Sequence, residues 1–314
     1  MQVLGIDVGG TKVEIATVKD GRALEPMRTP TPLTDTAALI DGIEALAREV
    51  IERDGAPQAI GVGVPSQIDF ATGRVLASVN IPLEGVPLRD ELQQRFGVPV
   101  FVDNDANCAA LAEAQWIEGG PARHLVMLTL GTGVGGGVII DGRVFRGATG
   151  LGAELGHMVI KFDGLKCPGR TCPNYGCLEA YCSGSALERA AGMPGQEVEK
   201  RARHGDEEAQ RHLDDLGRWL GVGIASFVNI FEPEHLVVGG GLGASAADLF
   251  LDTAIEEAHR RALPAGLERL SVSLAKGGSD AGVIGAGLLA QFEDALAQGG
   301  RDTAQTVETL GGDT

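Results

Sequence analysis

One imidazole and three thiols stand close along the chain at His157, Cys167, Cys172 and Cys177. One nitrogen and three sulfur donors are the ligand set of a closed tetrahedral zinc site. The loop between them carries Pro168, Gly169, Pro173 and Gly176, so it has little regular structure of its own and needs a metal as a staple. The opening Met1–Asp7 shows no basic segment followed by a cleavage site, and a cytoplasmic location is expected. In that reducing compartment clustered thiols favour a metal over disulfides. Cys108 and Cys182 stand apart and read as buried small hydrophobes.

Two glycine turns offer a second chemistry. Gly9-Gly10-Thr11-Lys12 follows the apolar run Val3–Val8 and precedes the alternating run Val13–Val18, which ends at Asp20-Gly21. Gly131-Thr132-Gly133 follows Leu125–Leu130 and leads through Val138–Ile140 to Asp141-Gly142-Arg143. Aligning Gly10 with Gly131 superposes Val13 on Val134 and Asp20-Gly21-Arg22 on Asp141-Gly142-Arg143 without a gap. This reads as a diverged internal duplication, and Asp-Gly between two such runs signals a hairpin. Backbone N–H groups of a strand-turn-strand loop can hold phosphates, with the hydroxyls of Thr11 and Thr132 and the charge of Lys12 beside them. Gly131-x-Gly133-x-x-Gly136 matches the dinucleotide fingerprint formally. A strand follows it where that motif needs a helix N-terminus, so the match is spurious.

The elements that must position these groups follow from hydrophobic period. Leu39, Ile40, Ile43, Leu46, Val50 and Ile51 recur at helical spacing behind a cap at Thr34 or Asp35. A strand Ile60–Val64, a helix over 88–96, a strand Val98–Val102 and a helix over 106–117 follow. Later come a long helix over 206–231, a strand Leu236–Val238, a helix over 245–262, a strand over 270–274 and a helix over 281–296. The expected organisation is α/β with two lobes. The first is 1–112, which the C-terminal helix can complete; the second is 113–298 with the zinc loop; a polar tail occupies 299–314.

With 314 residues, 44% of them hydrophobic, the chain can bury the cores of two domains. Its formal charge of -17 repels phosphate backbones and anionic lipid, so nucleic acid and membrane surfaces are not expected partners. No apolar run reaches the roughly 18 residues of a membrane span.

These motifs resemble the ROK group of sugar kinases, especially bacterial ATP-dependent glucokinases, within the actin and hexokinase superfamily. The resemblance spans nearly the whole chain. Its most specific stretch runs from Leu130 to Gly137 through Gly142, Gly147, Gly150 and Gly152 to Glu154-Leu155-Gly156-His157, joined by Asp7–Lys12, Gly63-Val64-Pro65, Asn80, Asp103–Ala106 and Val238–Gly241. Ser66 stands where the family usually has glycine. The resemblance implies a two-lobed, actin-like (ribonuclease H-like) ATPase fold closing over ATP and sugar. It implies Asp105 as catalytic base, with Gly63, Asn80, Asn104, Asp105, Glu154, His157 and Glu179 at the sugar. ATP falls to Asp7, Gly9, Gly10, Thr11, Lys12, Gly131, Thr132, Gly133, Gly239, Gly240 and Gly241, with Asp7 orienting Mg2+ through water. It supports the same four zinc ligands, although the family commonly has Cys-x-Cys-x4-Cys where this chain has Cys-x4-Cys-x4-Cys, a departure that falls on Cys167. If the stretch at Glu154 is helical, Glu154 and His157 share a face. The expected activity is transfer of phosphate from ATP to the 6-hydroxyl of a hexose, most simply glucose, by a homodimer or homotetramer. Fructose, mannose and N-acetylhexosamine kinases, and a non-catalytic sugar sensor or repressor, are the alternatives.

Overall fold

The computed structural model describes residues 1–169 and 171–294. The expected tail over 299–314 and the end of the last expected helix lie outside the described residues. The chain divides into two compact units, Met1–Ala112 with the chain from Ser279 onward, and Glu113–Gly278. The last helix therefore groups with the first unit, and the second unit ends at Gly278 instead of running to 298.

In the first unit Val3–Val8 (β1), Lys12–Lys19 (β2) and Arg22–Pro30 (β3) form an antiparallel meander. Asp20 (φ 50°) and Gly21 (φ 71°) both take the left-handed conformation that a tight hairpin turn requires. Asp35 caps Thr36–Asp54 (α1) by accepting from the Ala38 N–H at 2.8 Å. Ile60–Val64 (β4) pairs parallel with β1, a small hairpin of Ser66–Asp69 (β5) and Arg74–Ser78 (β6) follows, and Leu88–Phe96 (α2) leads to Val100–Asn104 (β7), parallel to β4. The large sheet has the order β3-β2-β1-β4-β7. The strand expected at Val98–Val102 starts two residues later and runs on to Asn104, because Asp103 and Asn104 continue the ladder with Gly63 and Val64. Asp105–Gln115 (α3) follows with no loop between.

One face of β1 sends Leu4, Ile6 and Val8 into a core with Leu39, Ile43 and Val50 of α1. The other face carries Val3, Gly5 and Asp7, and there the helix over 281–294 lies against the sheet. Its approach is backbone to backbone: a Cβ on Gly61 of β4 would sit 1.7 Å from the Ala286 carbonyl oxygen.

In the second unit Leu125–Leu130 (β8), Val134–Ile140 (β9) and Arg143–Val144 (β10) form the meander, and His235–Gly239 (β11) and Ser271–Leu274 (β12) add in parallel. The order β10-β9-β8-β11-β12 repeats the first sheet strand for strand, and Asp141 (φ 52°) and Gly142 (φ 75°) repeat its hairpin turn. Short helices Glu179–Cys182 (α4), Gly184–Ala191 (α5) and Gly195–Arg203 (α6) precede the long Glu207–Phe231 (α7). Asp206 caps α7 through the N–H groups of Glu208 and Ala209, and Leu213, Leu220, Ile224 and Phe227 bury its apolar face with Val126, Leu128 and Val238 of the sheet. The single helix expected over 245–262 is instead Gly240–Ala246 (α8), a 3-10 turn and Leu251–Arg261 (α9). The break falls where Phe250 turns its ring into the core and its backbone leaves helical values (φ -140°).

Replacing Gly61 with Ala forces a methyl group into the Ala286 carbonyl, so unfolding free energy is expected to fall by about 3 kcal/mol, the upper range for overpacking. Denaturant titration checks this, and a change under about 0.5 kcal/mol, the range of an ordinary surface substitution, would contradict the packing described.

Candidate active site

In the first unit the carboxyl ends of three parallel strands bring Asp7, Gly63 and Asp103 into one row across the sheet. The Asp7 carboxyl is raised to about 7, chiefly by burial and then by the negative charges of Asp105 and Glu14, against the lowering effect of Lys12. Asp105 is the first residue of α3 and accepts from the Ala106 N–H at 2.9 Å, a donor that the Asn104 side chain shares at 2.9 Å. The Asn104 amide donates to the Ser66 carbonyl at 3.3 Å. The Gly9 N–H closes its turn on the Lys12 carbonyl at 2.9 Å, with Gly10 and Thr11 at the tip. Asn80 is exposed in the turn after β6, its Cβ 3.6 Å from where a Cβ on Gly10 would lie.

In the second unit the Gly131 N–H closes the other turn on the Gly133 carbonyl at 3.0 Å. The Gly131 and Thr132 carbonyls accept from the Gly184 and Ser185 N–H groups at the start of α5. Glu179, the first residue of α4, accepts from the Val134 N–H at 2.9 Å. A Cβ on Gly133 would lie 2.4 Å from that carboxylate oxygen, so only glycine admits the contact. Gly239 ends β11 and Gly240 and Gly241 begin α8; a Cβ on Gly240 would lie 2.4 Å from the Leu130 carbonyl oxygen at the end of β8.

The ligand atoms of His157, Cys167, Cys172 and Cys177 all lie within 4.8 Å of one another. The Cys172 and Cys177 sulfurs are 3.8 Å apart and His157 Nδ1 is 3.3 Å from the Cys167 sulfur. A tetrahedral zinc ion has ligand-to-ligand edges of about 3.8 Å between sulfurs and about 3.5 Å between sulfur and nitrogen, from its bond lengths. The residues therefore fit such an ion, Cys167 included despite its altered spacing. Burial pushes the Cys177 thiol up to about 12 and raises Cys167 as well, so a metal has to displace protons as it binds. Cys108 and Cys182 are fully buried.

The stretch at Glu154 is not an α-helix. Leu155–His157 forms one 3-10 turn behind Glu154, and Ala153 at φ 64° prevents an earlier start. Glu154 is exposed and His157 half-buried. Lys12 is not a bare positive charge beside the turn: it pairs with Glu14, which is 0% exposed and also takes Arg28 at 2.7 Å. Arg28 reaches Asp280 at 2.8 Å as well. Glu14 was hidden in the sequence because a carboxylate between Val13 and Ile15 reads as the solvent face of a strand. Asp103 stands out in the sequence only as part of the Asp103–Ala106 stretch. It is 2% exposed and accepts from the Asn104 N–H at 2.7 Å and the Asn107 amide at 2.9 Å, fixing the residue before Asp105.

Because the Asp7 carboxyl is raised in the fold, its contribution to stability is full below about pH 4, its unfolded value, and is lost as pH rises through about 7. In metal-free buffer the Asp7→Asn variant is expected to gain about 2–3 kcal/mol on the wild type between pH 5 and 8. A stability difference that does not change with pH would contradict the burial of this charge.

The ROK family model matches residues 3–293. A glucokinase of Streptomyces coelicolor is 35% identical over 319 residues, covering 93% of this chain and 98% of the relative. The crystal structure of a ROK hexokinase from Thermus thermophilus superposes with a TM-score of 0.86 at 35% identity, over 94% of this chain and 99% of that one. That of a ROK family glucokinase from Streptomyces griseus, in complex with glucose and AMPPNP, superposes with a TM-score of 0.76 at 33% identity, over 93% and 99%. With the family model matched over residues 3–293 and relatives 35% identical along almost their whole length, the chain belongs to the ROK family.

Proposed function

We propose that this protein is an ATP-dependent hexose kinase that phosphorylates the 6-hydroxyl of glucose on a two-lobed, actin-like frame. The observation that carries the reading is the carboxylate pair Asp7 and Asp105, set at the ends of parallel strands beside a glycine turn and close enough for the charge of one to raise the other. Phosphoryl transfer asks for such a pair: one carboxylate takes the proton of the attacking hydroxyl, and the other stands near the metal that accompanies the phosphates. Asp105 takes the proton as the sugar oxygen bonds to the γ-phosphorus and the bond to the β-phosphate oxygen breaks, releasing ADP. Mg2+, when bound with ATP, neutralises charge on the phosphates, and Asp7 is the residue that orients it. Gly10, Thr11, Gly131, Thr132 and Gly239–Gly241 serve the nucleotide. Asn80, Asn104, Glu154, His157 and Glu179 meet sugar hydroxyls, because amide and charged groups suit a polyol and are poorly satisfied by an apolar ligand. Glucokinases among the relatives support glucose as the acceptor, and N-acetyl-D-glucosamine kinases among them make an N-acetylhexosamine the main alternative. Among the described residues no helix is long and apolar enough to cross a membrane. The proposal includes a cytoplasmic homodimer or homotetramer.

A coupled ADP-release assay across a sugar panel is expected to show glucose as the best acceptor, and no release with any hexose would contradict the reading. Asp105→Ala is expected to lower kcat by at least about 10²-fold with glucose affinity much less affected; near-normal turnover would sink the base assignment.

The cluster at His157 is proposed to hold one structural zinc ion. Elemental analysis is expected to find about one zinc per chain. Cys172→Ser or Cys177→Ser should release the metal, lower the melting temperature and weaken glucose binding, although neither thiol is placed at the sugar. Metal-free protein with full activity and unchanged stability would show that the loop organises itself.

A further inference from the structure

Ser66 opens the β5–β6 hairpin and pairs across it with Ser78. It is 6% exposed, and both its hydroxyl and its carbonyl are hydrogen-bonded. Its carbonyl accepts from the Asn104 amide at 3.3 Å, its hydroxyl donates to Ser78 Oγ at 2.9 Å, and Ser78 Oγ donates to the Ile81 carbonyl at 2.8 Å. Hydroxyls that donate in one direction along a chain strengthen one another. The last bond closes the turn that carries Asn80, which lies between Ser78 and Ile81. One buried residue thus holds one amide through its backbone and, through its side chain, the turn that bears the other. Backbone pairing of Gln67 with Ala77 and of Ile68 with Val75 already builds the hairpin, so the hydroxyl relay is not needed to form it.

We infer that Ser66 is a positioning residue for the phosphoryl acceptor: the Ser66–Ser78 relay sets the Asn80 turn relative to Asn104, so that the two amides address neighbouring hydroxyls of one hexose. The inference rests on the sugar-kinase reading above. It differs from a purely structural role in acting through Asn80. The test is calorimetric titration of glucose, without nucleotide, into the full chain and its Ser66→Ala, Ser78→Ala, Asn80→Ala and Ser78→Ala/Asn80→Ala variants. Each serine variant is expected to bind glucose on the order of 5- to 10-fold more weakly, the loss of one hydrogen bond. Affinity for a nonhydrolysable ATP analogue should stay unchanged, and the Ser78 substitution should have no further effect once Asn80 is gone. Should Ser66→Ala fail to fold, the Ser78 variants carry the test alone. Wild-type glucose affinity in both serine variants, or a full Ser78 effect in the Asn80→Ala background, would overturn the positioning role while leaving the kinase reading intact. A wild-type chain that binds no hexose would overturn the kinase reading and this inference with it.

Discussion

The hydrogen bond from the Val134 N–H to the Glu179 carboxylate, 2.9 Å long, joins two parts of the second unit that carry little regular structure of their own. One is a glycine turn, conformationally loose by composition. The other is the loop from His157 to Cys177, whose regular pairing among the described residues amounts to two isolated bridges, Val159 with Cys177 and Lys166 with Tyr175. Glu179 lies two residues beyond Cys177, with Leu178 fully buried between them, so the position of the carboxylate follows from that of the last thiol. Gly133 leaves the space that the carboxylate needs, and the first N–H groups of α5 hold the neighbouring carbonyls of the turn. The proposed metal therefore bears on more than its own loop.

The first unit meets a different difficulty, negative charge crowded at strand ends. Asp7 of β1, Glu14 of β2, Asp103 of β7 and Asp105, the first residue of α3, all stand near strand ends of the first sheet. A buried carboxylate is tolerable only when paired or protonated, and Glu14, Asp103 and Asp7 each take one of these routes. Glu14 is paired with Lys12 and Arg28. Asp103 accepts two N–H donors. Asp7 holds its proton to about pH 7. That leaves Asp7 as the group whose ionisation a cation would favour, which is what a residue near a phosphate-bound metal needs.

The sequence made the repeated architecture legible because its signals are local and strong. Asp20-Gly21 and Asp141-Gly142 both form the left-handed hairpin turns their types demand, and the caps Asp35 and Asp206 sit where the helical periods begin. The grouping of His157, Cys167, Cys172 and Cys177 was legible by residue type alone, since three thiols and an imidazole in a Pro/Gly loop have few other uses. The β5–β6 hairpin was not, because each strand buries one large apolar residue, Ile68 or Val75, too little for a period of two to stand out. Glu14 and the Ser66–Ser78 pair were hidden for a related reason: polar side chains whose partners come from distant segments look like surface in one dimension. The 3-10 turn at Glu154 depends on Ala153 taking a positive φ, which nothing in its residue type announces.

The segment Cys177–Glu179 links the proposed zinc site to the Gly131–Gly133 turn, which is proposed to serve the nucleotide. The most direct measurement is the affinity of zinc-loaded and zinc-stripped protein for a nonhydrolysable ATP analogue, at matched folding and without sugar. Stripping the metal is expected to weaken nucleotide binding, because Glu179 no longer holds the Val134 N–H, and reloading zinc to restore it. Equal nucleotide affinity in the two forms, with the metal content verified, would contradict that link.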